Sequence, residues 1–214
     1  KVEAGVFVAV NTLLAGAIME GTRLKGVIVE SRSGREAIYA KSFVDCSGFG
    51  DLAAFAGAKY AEPNDYPVVN SMGVGGVNVE RYFDFLQSNG AVTQLAKGRR
   101  SGRAGQIVRL DTNGKGFPPE FRTESSKIGL SMTITTVRDD YFMFVKMGLR
   151  MPVSPTSRDA VAKAELELRR RQFRAIELFR QYVPGCEKAF IARTSPTLNI
   201  RRASLRDDLV RLWK

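Results

Sequence analysis

Residues 45–60 read DCSGFGDLAAFAGAKY and place three glycines among small or apolar side chains. The residues FVD that lead into this stretch favour an extended strand. The segment at 51–58 opens with an acid, continues with small apolar residues and has Gly57 near its end, which is typical of a short helix. The stretch therefore predicts a strand, a glycine-rich turn and a helix in immediate succession.

The glycines of this turn allow a ligand to approach the backbone. Gly48 and Gly50 have no Cβ, so the N–H groups around them stay accessible, and a helix that begins at Asp51 would add the positive end of its dipole. This geometry suits a nucleotide or its pyrophosphate. Many strand-to-helix turns use glycine only to reverse the chain, so spacing alone favours a structural role.

The sequence before the turn predicts an antiparallel β-ribbon over residues 5–46. Strand-forming residues dominate three segments, GVFVAV at 5–10, LKGVIVE at 24–30 and AIYAKSFVD at 37–45. Turn-forming residues separate them at 20–23 and 31–34. The ribbon therefore leads directly into the glycine turn.

Beyond the turn, the pattern predicts a mixture of strands, helices and loops. GVGGV at 73–77 indicates a strand with close backbone approach, and residues 79–90 indicate an amphipathic helix. The basic run KGRRSGR at 97–103 predicts an exposed loop. Residues 130–153 predict a hairpin, and a capping box followed by Pro184-Gly185 bounds a long one-sided helix over 157–183.

The chain is basic, with 33 Lys and Arg residues against 22 Asp and Glu, a formal net charge of +11. Such a surplus attracts polyanions. Neither 97–103 nor RRRQFR at 169–174 has the interleaved aromatic residues or the one-sided arrangement typical of a nucleic-acid surface, so solvated basic segments are the favoured interpretation.

Several classes of site are disfavoured by residue type. The chain has no histidine, which excludes Ser-His-Asp and Cys-His catalysis and removes the commonest zinc ligand, and Asp139-Asp140 is explained as a turn, so no metal site is predicted. Cys46 and Cys186 predict buried free thiols in the cytoplasm or another reducing compartment, with a single bridge as the alternative. The most apolar window, 4–19, is too short to span a membrane.

In order and spacing, the ribbon, the turn and the helix resemble flavin-dependent oxidoreductases related to fumarate reductase and glutathione reductase. In that family the ribbon is followed by a strand that ends in Asp-Ala-Thr-Gly-Asp-Gly-Asp. Here DCSGFGD occupies those places, with Ser47 in place of threonine and Phe49 as a departure. The resemblance implies FAD contacts from Leu14, Asp45, Cys46, Ser47, Gly48, Gly50 and Asp51.

The C-terminal part extends the resemblance. The helix over 157–183, the Pro-Gly turn and FIARTSPTLNIRR resemble the family's substrate-domain helix, turn and strand, which lead to an arginine-rich motif beside the flavin. Arg201 falls on the first arginine of that motif, and Arg193 is a second candidate. A bidentate guanidinium at either position would hold a carboxylate or stabilise reduced flavin.

The resemblance implies a mixed α/β fold, with a partial Rossmann-like FAD-binding domain over 1–60 and a substrate domain over 61–214. No Gly-x-Gly-x-x-Gly is present, so we expect an internal portion of a longer oxidoreductase that transfers hydride or electrons between FAD and an unidentified small molecule. A basic polyanion- or RNA-binding domain and a catalytically silent flavoprotein scaffold are the alternatives.

Overall fold

The computed structural model describes residues 5–60, 66–151 and 156–200. These residues divide into two compact units, 5–60 and 66–200. The arrangement is a mixed α/β fold with two antiparallel sheets, which confirms the predicted fold class.

The first unit is a three-stranded ribbon followed by a short helix. Strands β1 (Leu13–Glu20), β2 (Arg23–Ser31) and β3 (Gly34–Tyr39) pair in that order, and α1 spans Asp51–Phe55. Glu20 pairs with Arg23, and Ser31 pairs with Gly34, so both connections are two-residue turns. Helix α1 lies against β1 and buries Leu52.

The ribbon is present, but its strands differ from the predicted ones. Residues 5–10 and 40–45, which were expected to be strands, lie outside the ladder. The tight turns fix the register of the strands. Leu13 pairs with Glu30, one residue before the end of β2, so the residues that precede Leu13 have no part of β2 opposite them. Tyr39 pairs with Gly26, and residues beyond it soon reach the first turn.

The second unit is an eight-stranded antiparallel sheet with three helices. Its main path is β10-β4-β9-β8-β6-β5, while β11 pairs with β4 and β7 pairs with β9. The strands are β4 (Tyr66–Gly75), β5 (Val92–Arg100), β6 (Arg103–Thr112), β7 (Leu130–Ser131), β8 (Ile134–Arg138), β9 (Tyr141–Met151), β10 (Phe190–Thr194) and β11 (Asn199–Ile200). The helices are α2 (Val79–Ser88), α3 (Pro119–Lys127) and α4 (Arg158–Tyr182).

The helices pack on the sheet and enclose the core of this unit. Its largest fully buried side chains include Tyr82, Phe121, Phe142 and Phe179. Side chains alternate across a strand, so the residues between the core positions of β4 and β9 lie on the other face of the sheet. That face, which we call the open face, carries the exposed side chains Phe144, Lys146, Phe190 and Arg193.

Several predicted elements of the second unit are confirmed. Helix α4 begins after Ser157, whose Oγ accepts a hydrogen bond from the Ala160 N–H at 3.4 Å, and α2 begins after Asn78. The predicted hairpin is β8 and β9, with Arg138 paired to Tyr141. Among the described residues, no helix is long and apolar enough to cross a membrane.

The predicted basic loop at 97–103 is wrong. It is the end of β5 and the start of β6, joined by Ser101-Gly102 with φ angles of 48° and 77°. Two consecutive positive φ angles are typical of a tight hairpin turn, and pairing with β6 outweighs the loop-like composition. Helix α3 was not predicted, because its polar sequence gives little apolar periodicity.

Candidate functional site

The predicted flavin turn is held together by the side chains of Asp45 and Ser47. Asp45 Oδ1 accepts hydrogen bonds from the Ser47 N–H at 2.9 Å and from Ser47 Oγ at 2.6 Å. The second oxygen, Asp45 Oδ2, accepts from the Ala53 N–H at 3.1 Å, and Ser47 Oγ accepts from the Asp51 N–H at 2.8 Å. The two polar side chains therefore satisfy backbone donors at the start of α1 and fix the loop in front of it.

These hydrogen bonds also set the charge of Asp45. Partial burial opposes its ionisation and is the largest single influence on its pKa. The hydrogen bonds from Ser47 and from the backbone of Ala53 and Leu52 act in the opposite direction and together hold the pKa of Asp45 below its ordinary value. The turn therefore contains a carboxylate whose charge is stabilised by the Ser47 side chain and by the surrounding backbone.

The tip of the turn consists of residues 48–50, whose backbone donors are not used within the turn. Within the described part of the chain, the N–H groups of Gly48, Phe49 and Gly50 have no hydrogen-bond partner. Gly48 and Gly50 have φ angles of 89° and 76°, a region that favours glycine, and a Cβ added at Gly48 would meet nothing within 4 Å. The tip thus contains three consecutive amide donors without a partner, and Gly48 is the most exposed of the three residues.

The remaining candidates in the first unit are Cys46, Asp51 and Leu14. Cys46 and Asp51 are exposed, and Leu14 is half-buried in β1, where it pairs with Val29. The prediction that both cysteines are buried is wrong for Cys46, because it lies in the exposed loop before α1. Both cysteines are free, and burial raises the pKa of the Cys186 thiol.

The two candidate arginines belong to the C-terminal part of the chain. Arg193 lies on β10, and its guanidinium carbon is 4.9 Å from the centre of the Phe144 ring. Its side chain crosses β4 at Gly73, where an added Cβ would be 2.8 Å from Arg193 Cγ. The close approach predicted for GVGGV is therefore present: side chains of β10 cross Gly73 and Gly75, and at Gly76 the backbone carbonyl of Lys188 lies where a Cβ would be. Arg201 lies outside the described residues.

A polar network that the sequence did not reveal fixes the segment after Arg193. Glu165 Oε2 accepts the Leu198 N–H at 2.6 Å, and Glu165 Oε1 is 2.7 Å from Arg169. Arg169 in turn donates to the Thr194 hydroxyl at 2.8 Å and to the Ser195 and Pro196 carbonyls. Only the spacing of four residues between Glu165 and Arg169 was visible in the sequence, and it predicts a surface pair rather than a clamp on residues 194–198.

The comparison with protein families agrees with the resemblance. A family model described as FAD dependent oxidoreductase matches residues 2–204. The chain belongs to this family. The mixed α/β architecture, with antiparallel sheets and few helices, is consistent with a partial FAD-binding domain. Searches of curated proteins and of solved structures found no match.

Family membership implies FAD, and the turn at 45–51 has suitable chemistry for part of it. Amide donors without a partner, next to the open space at Gly48, suit phosphate and hydroxyl oxygens. The carboxylate of Asp45 and the hydroxyl of Ser47 already bond within the turn, so their contribution is to position the backbone. The described residues contain no group of three or more Cys, Asp or Glu side chains placed to hold a metal ion.

Proposed function

We propose that this chain contributes to an FAD-dependent oxidoreductase that transfers hydride or electrons between bound flavin and a small-molecule substrate. The observation that carries the proposal is the row of N–H groups at Gly48, Phe49 and Gly50, presented by a turn that Asp45 and Ser47 hold in place. Family membership supplies the redox class, and the turn supplies residues that suit the cofactor.

In this proposal the two parts of the chain have different tasks. Residues 1–60 belong to the FAD-binding domain, where the tip at 48–50 binds cofactor oxygens, Cys46 and Asp51 flank them, and Leu14 contributes apolar contact. Residues 61–214 belong to the substrate domain. When bound, FAD supplies the carrier of hydride or single electrons.

For the substrate, the proposal assigns roles to two arginine side chains. Arg193 and Arg201 carry permanent positive charge and planar donors, which suit a substrate carboxylate or negative charge that develops on the flavin. The Arg193 guanidinium is exposed and lies over Phe144, so its donors remain available. The free thiols of Cys46 and Cys186 favour a reducing compartment such as the cytoplasm.

The test compares two glycines of the same unit in the full-length protein. Gly48 and Gly57 have φ angles of 89° and 85°, and an added Cβ meets nothing within 4 Å at either position. Alanine therefore introduces the same backbone strain, about 1–2 kcal/mol, at both sites. We expect Gly48→Ala to lower the flavin content and to weaken FAD binding about tenfold more than Gly57→Ala, because only Gly48 lies at the tip of the turn.

Flavin absorbance of the purified protein and titration of the apoprotein with FAD measure both quantities. Equal losses in the two variants would contradict the assignment of the turn. A colourless protein that binds unrelated nucleic acids with strong salt dependence would support the polyanion-binding alternative. A stable protein with neither flavin nor redox activity would support the silent scaffold.

A further inference from the structure

The glycine-rich end of β4 lets two side chains of β10 lie flat across the open face. A Cβ added at Gly73 would be 2.8 Å from Arg193 Cγ, and one added at Gly75 would be 2.6 Å from Phe190 Cζ. Any larger residue at these positions of β4 would push the side chains away. The glycines therefore hold a guanidinium and an aromatic ring side by side on the surface of the sheet.

Phe144 is placed beside them by an unusual backbone conformation. It has a φ of 54°, which is rare for a bulky residue, and lies where β9 has one residue more than β4 between the pairs Met72–Val145 and Val74–Phe142. Its ring remains 47% exposed and supports the Arg193 guanidinium. A strained residue that presents an exposed ring beneath a cation suggests a functional constraint.

The charge of the open face has a single sign. The four neighbouring strands β10, β4, β9 and β8 contain no Asp or Glu, and their basic residues are all exposed. Among the described residues, Lys146 and Arg193 have no acidic partner; Arg193 instead lies over Phe144. Lys146 is opposite Ser71 and Arg193 is opposite Gly73, so the two cations flank β4. Their backbone positions are two strand spacings and two residues along β4 apart, or about 12 Å.

We propose that this surface binds the carboxylate of the small-molecule substrate and that it selects substrates with an apolar or aromatic body. The Arg193 guanidinium receives the carboxylate, Lys146 adds a second positive charge, and the rings of Phe144 and Phe190 contact the apolar part. A planar guanidinium supported by a ring matches a planar carboxylate in a bidentate arrangement. The identification of this ligand as the substrate rests on the proposed flavoenzyme function.

A nucleic acid is a weaker match to the same face. A protein surface that follows a nucleic-acid backbone needs a row of cations without acidic partners. Here Arg138 Nε already lies 3.9 Å from Asp139 Oδ2. Two cations without acidic partners and two exposed rings instead fit one small anion.

The first experiment uses benzoate as the probe and benzamide as its neutral analogue, with the full-length protein and binding measured by calorimetry. We expect benzoate to bind at least about tenfold more tightly than benzamide, and Arg193→Gln to weaken benzoate binding by about tenfold or more. Arg193→Lys keeps the charge but loses the two parallel N–H donors of the guanidinium, so an intermediate loss of benzoate affinity is expected. Arg99→Gln, which removes an exposed charge from β5, should leave the affinity unchanged.

The second variant is Phe144→Asn, which removes the ring and tolerates a positive φ. It should fold normally by circular dichroism and bind benzoate several-fold more weakly. Equal binding of benzoate and benzamide, or equal effects of Arg193→Gln and Arg99→Gln, would overturn the proposal. Displacement of benzoate by oligouridine at far lower concentration would overturn it in favour of nucleic acid.

The flavin content of the same preparations separates this inference from the proposed function. A colourless protein with Arg193-dependent benzoate binding would refute the flavoenzyme proposal while supporting the carboxylate site. A yellow, active protein whose benzoate affinity is unaffected by Arg193→Gln would refute the carboxylate site and leave the flavoenzyme proposal standing.

Discussion

The two units differ in what covers their apolar side chains. In the described part of the first unit, the buried hydrophobic residues are Val29 and Leu52, while Phe7 is 85% exposed and Val44 is 84% exposed. The second unit buries a continuous core that includes Tyr82, Phe142 and Phe179. The first unit is therefore held mainly by its β-ladder and by local hydrogen bonds, and the second by hydrophobic burial.

This difference determines where each unit is vulnerable. Removing a core side chain leaves a cavity, and its cost grows with the volume removed. In a unit with little core, truncating an apolar side chain lowers the free energy of unfolding less. The loss of one hydrogen bond that fixes a turn is then a larger share of its stability. The contrast therefore predicts large effects of core truncation in the second unit and small local effects at the turn of residues 45–51.

The largest effect is expected at Phe179 in α4. Its ring is fully buried and packs against Phe121, with ring centres 5.9 Å apart. Phe179→Ala should lower the free energy of unfolding by about 3–5 kcal/mol. Chemical denaturation followed by circular dichroism measures this change.

Phe173 on the same helix provides the matched control. It is 69% exposed, so Phe173→Ala should change the free energy of unfolding by less than about 0.5 kcal/mol. A similar loss for both variants would mean that burial does not dominate the stability of this unit, and the contrast between the units would fail.

A smaller effect is expected from the polar network of the second unit. Glu165 accepts hydrogen bonds from Leu198 and Asn70 and pairs with Arg169. In Glu165→Gln one acceptor oxygen becomes a donor, so one of these partners is left unsatisfied. We expect a loss of about 1.5–3 kcal/mol in the free energy of unfolding.

Glu167 is the control for this variant. Its Oε1 accepts a hydrogen bond from Arg171 Nε at 2.7 Å across one turn of α4, an arrangement worth about 0.3–0.5 kcal/mol near the surface. Glu167→Gln should therefore have little effect in the same denaturation experiment. Equal losses would show that Glu165 acts as an ordinary helix pair and does not clamp residues 194–198.

Elements whose determinants are local were predictable from the sequence. Helix α4 was predicted from a capping box over 156–159 and from the stop signal Pro184-Gly185, although the residue that caps it is Ser157. The glycine turn at 48–50 also lies within one short stretch. Strand limits were less predictable because they depend on register. The basic run at 97–103 has the composition of a loop, yet it pairs with β6, and residues 5–10 have the composition of a strand but lie beyond the end of β2.

The candidate site divides in the same way. Asp45, Ser47 and Gly48 are close in sequence, so their common turn could be predicted, although the use of the carboxylate and hydroxyl inside the turn could not. The open face depends on residues far apart in sequence. Gly73, Phe144 and Arg193 meet only through the pairing of β4 with β9 and β10, and the positive φ of Phe144 has no sequence signal.

The smallest effect is expected at Asp45, where the first unit relies on hydrogen bonds. Because the pKa of Asp45 is lower in the folded state, its contribution to stability is fully present above the ordinary Asp pKa of about 3.9 and is lost as the pH falls through the folded value. Asp45→Asn removes an acceptor for the Ala53 N–H and should weaken the start of α1 by about 1 kcal/mol.

Native-state hydrogen exchange detects this local change, because it reports the opening of individual N–H groups. The Ala53 N–H should exchange about fivefold faster in Asp45→Asn at neutral pH, and the difference from wild type should shrink as the wild-type carboxylate becomes protonated in acid. Asp51→Asn is the control. Asp51 takes part in the turn through its backbone N–H, which donates to Ser47 Oγ, and this hydrogen bond does not involve its carboxylate. If the difference in exchange rate between Asp45→Asn and wild type stayed constant across the acid range, the charge of Asp45 would not be what stabilises the turn.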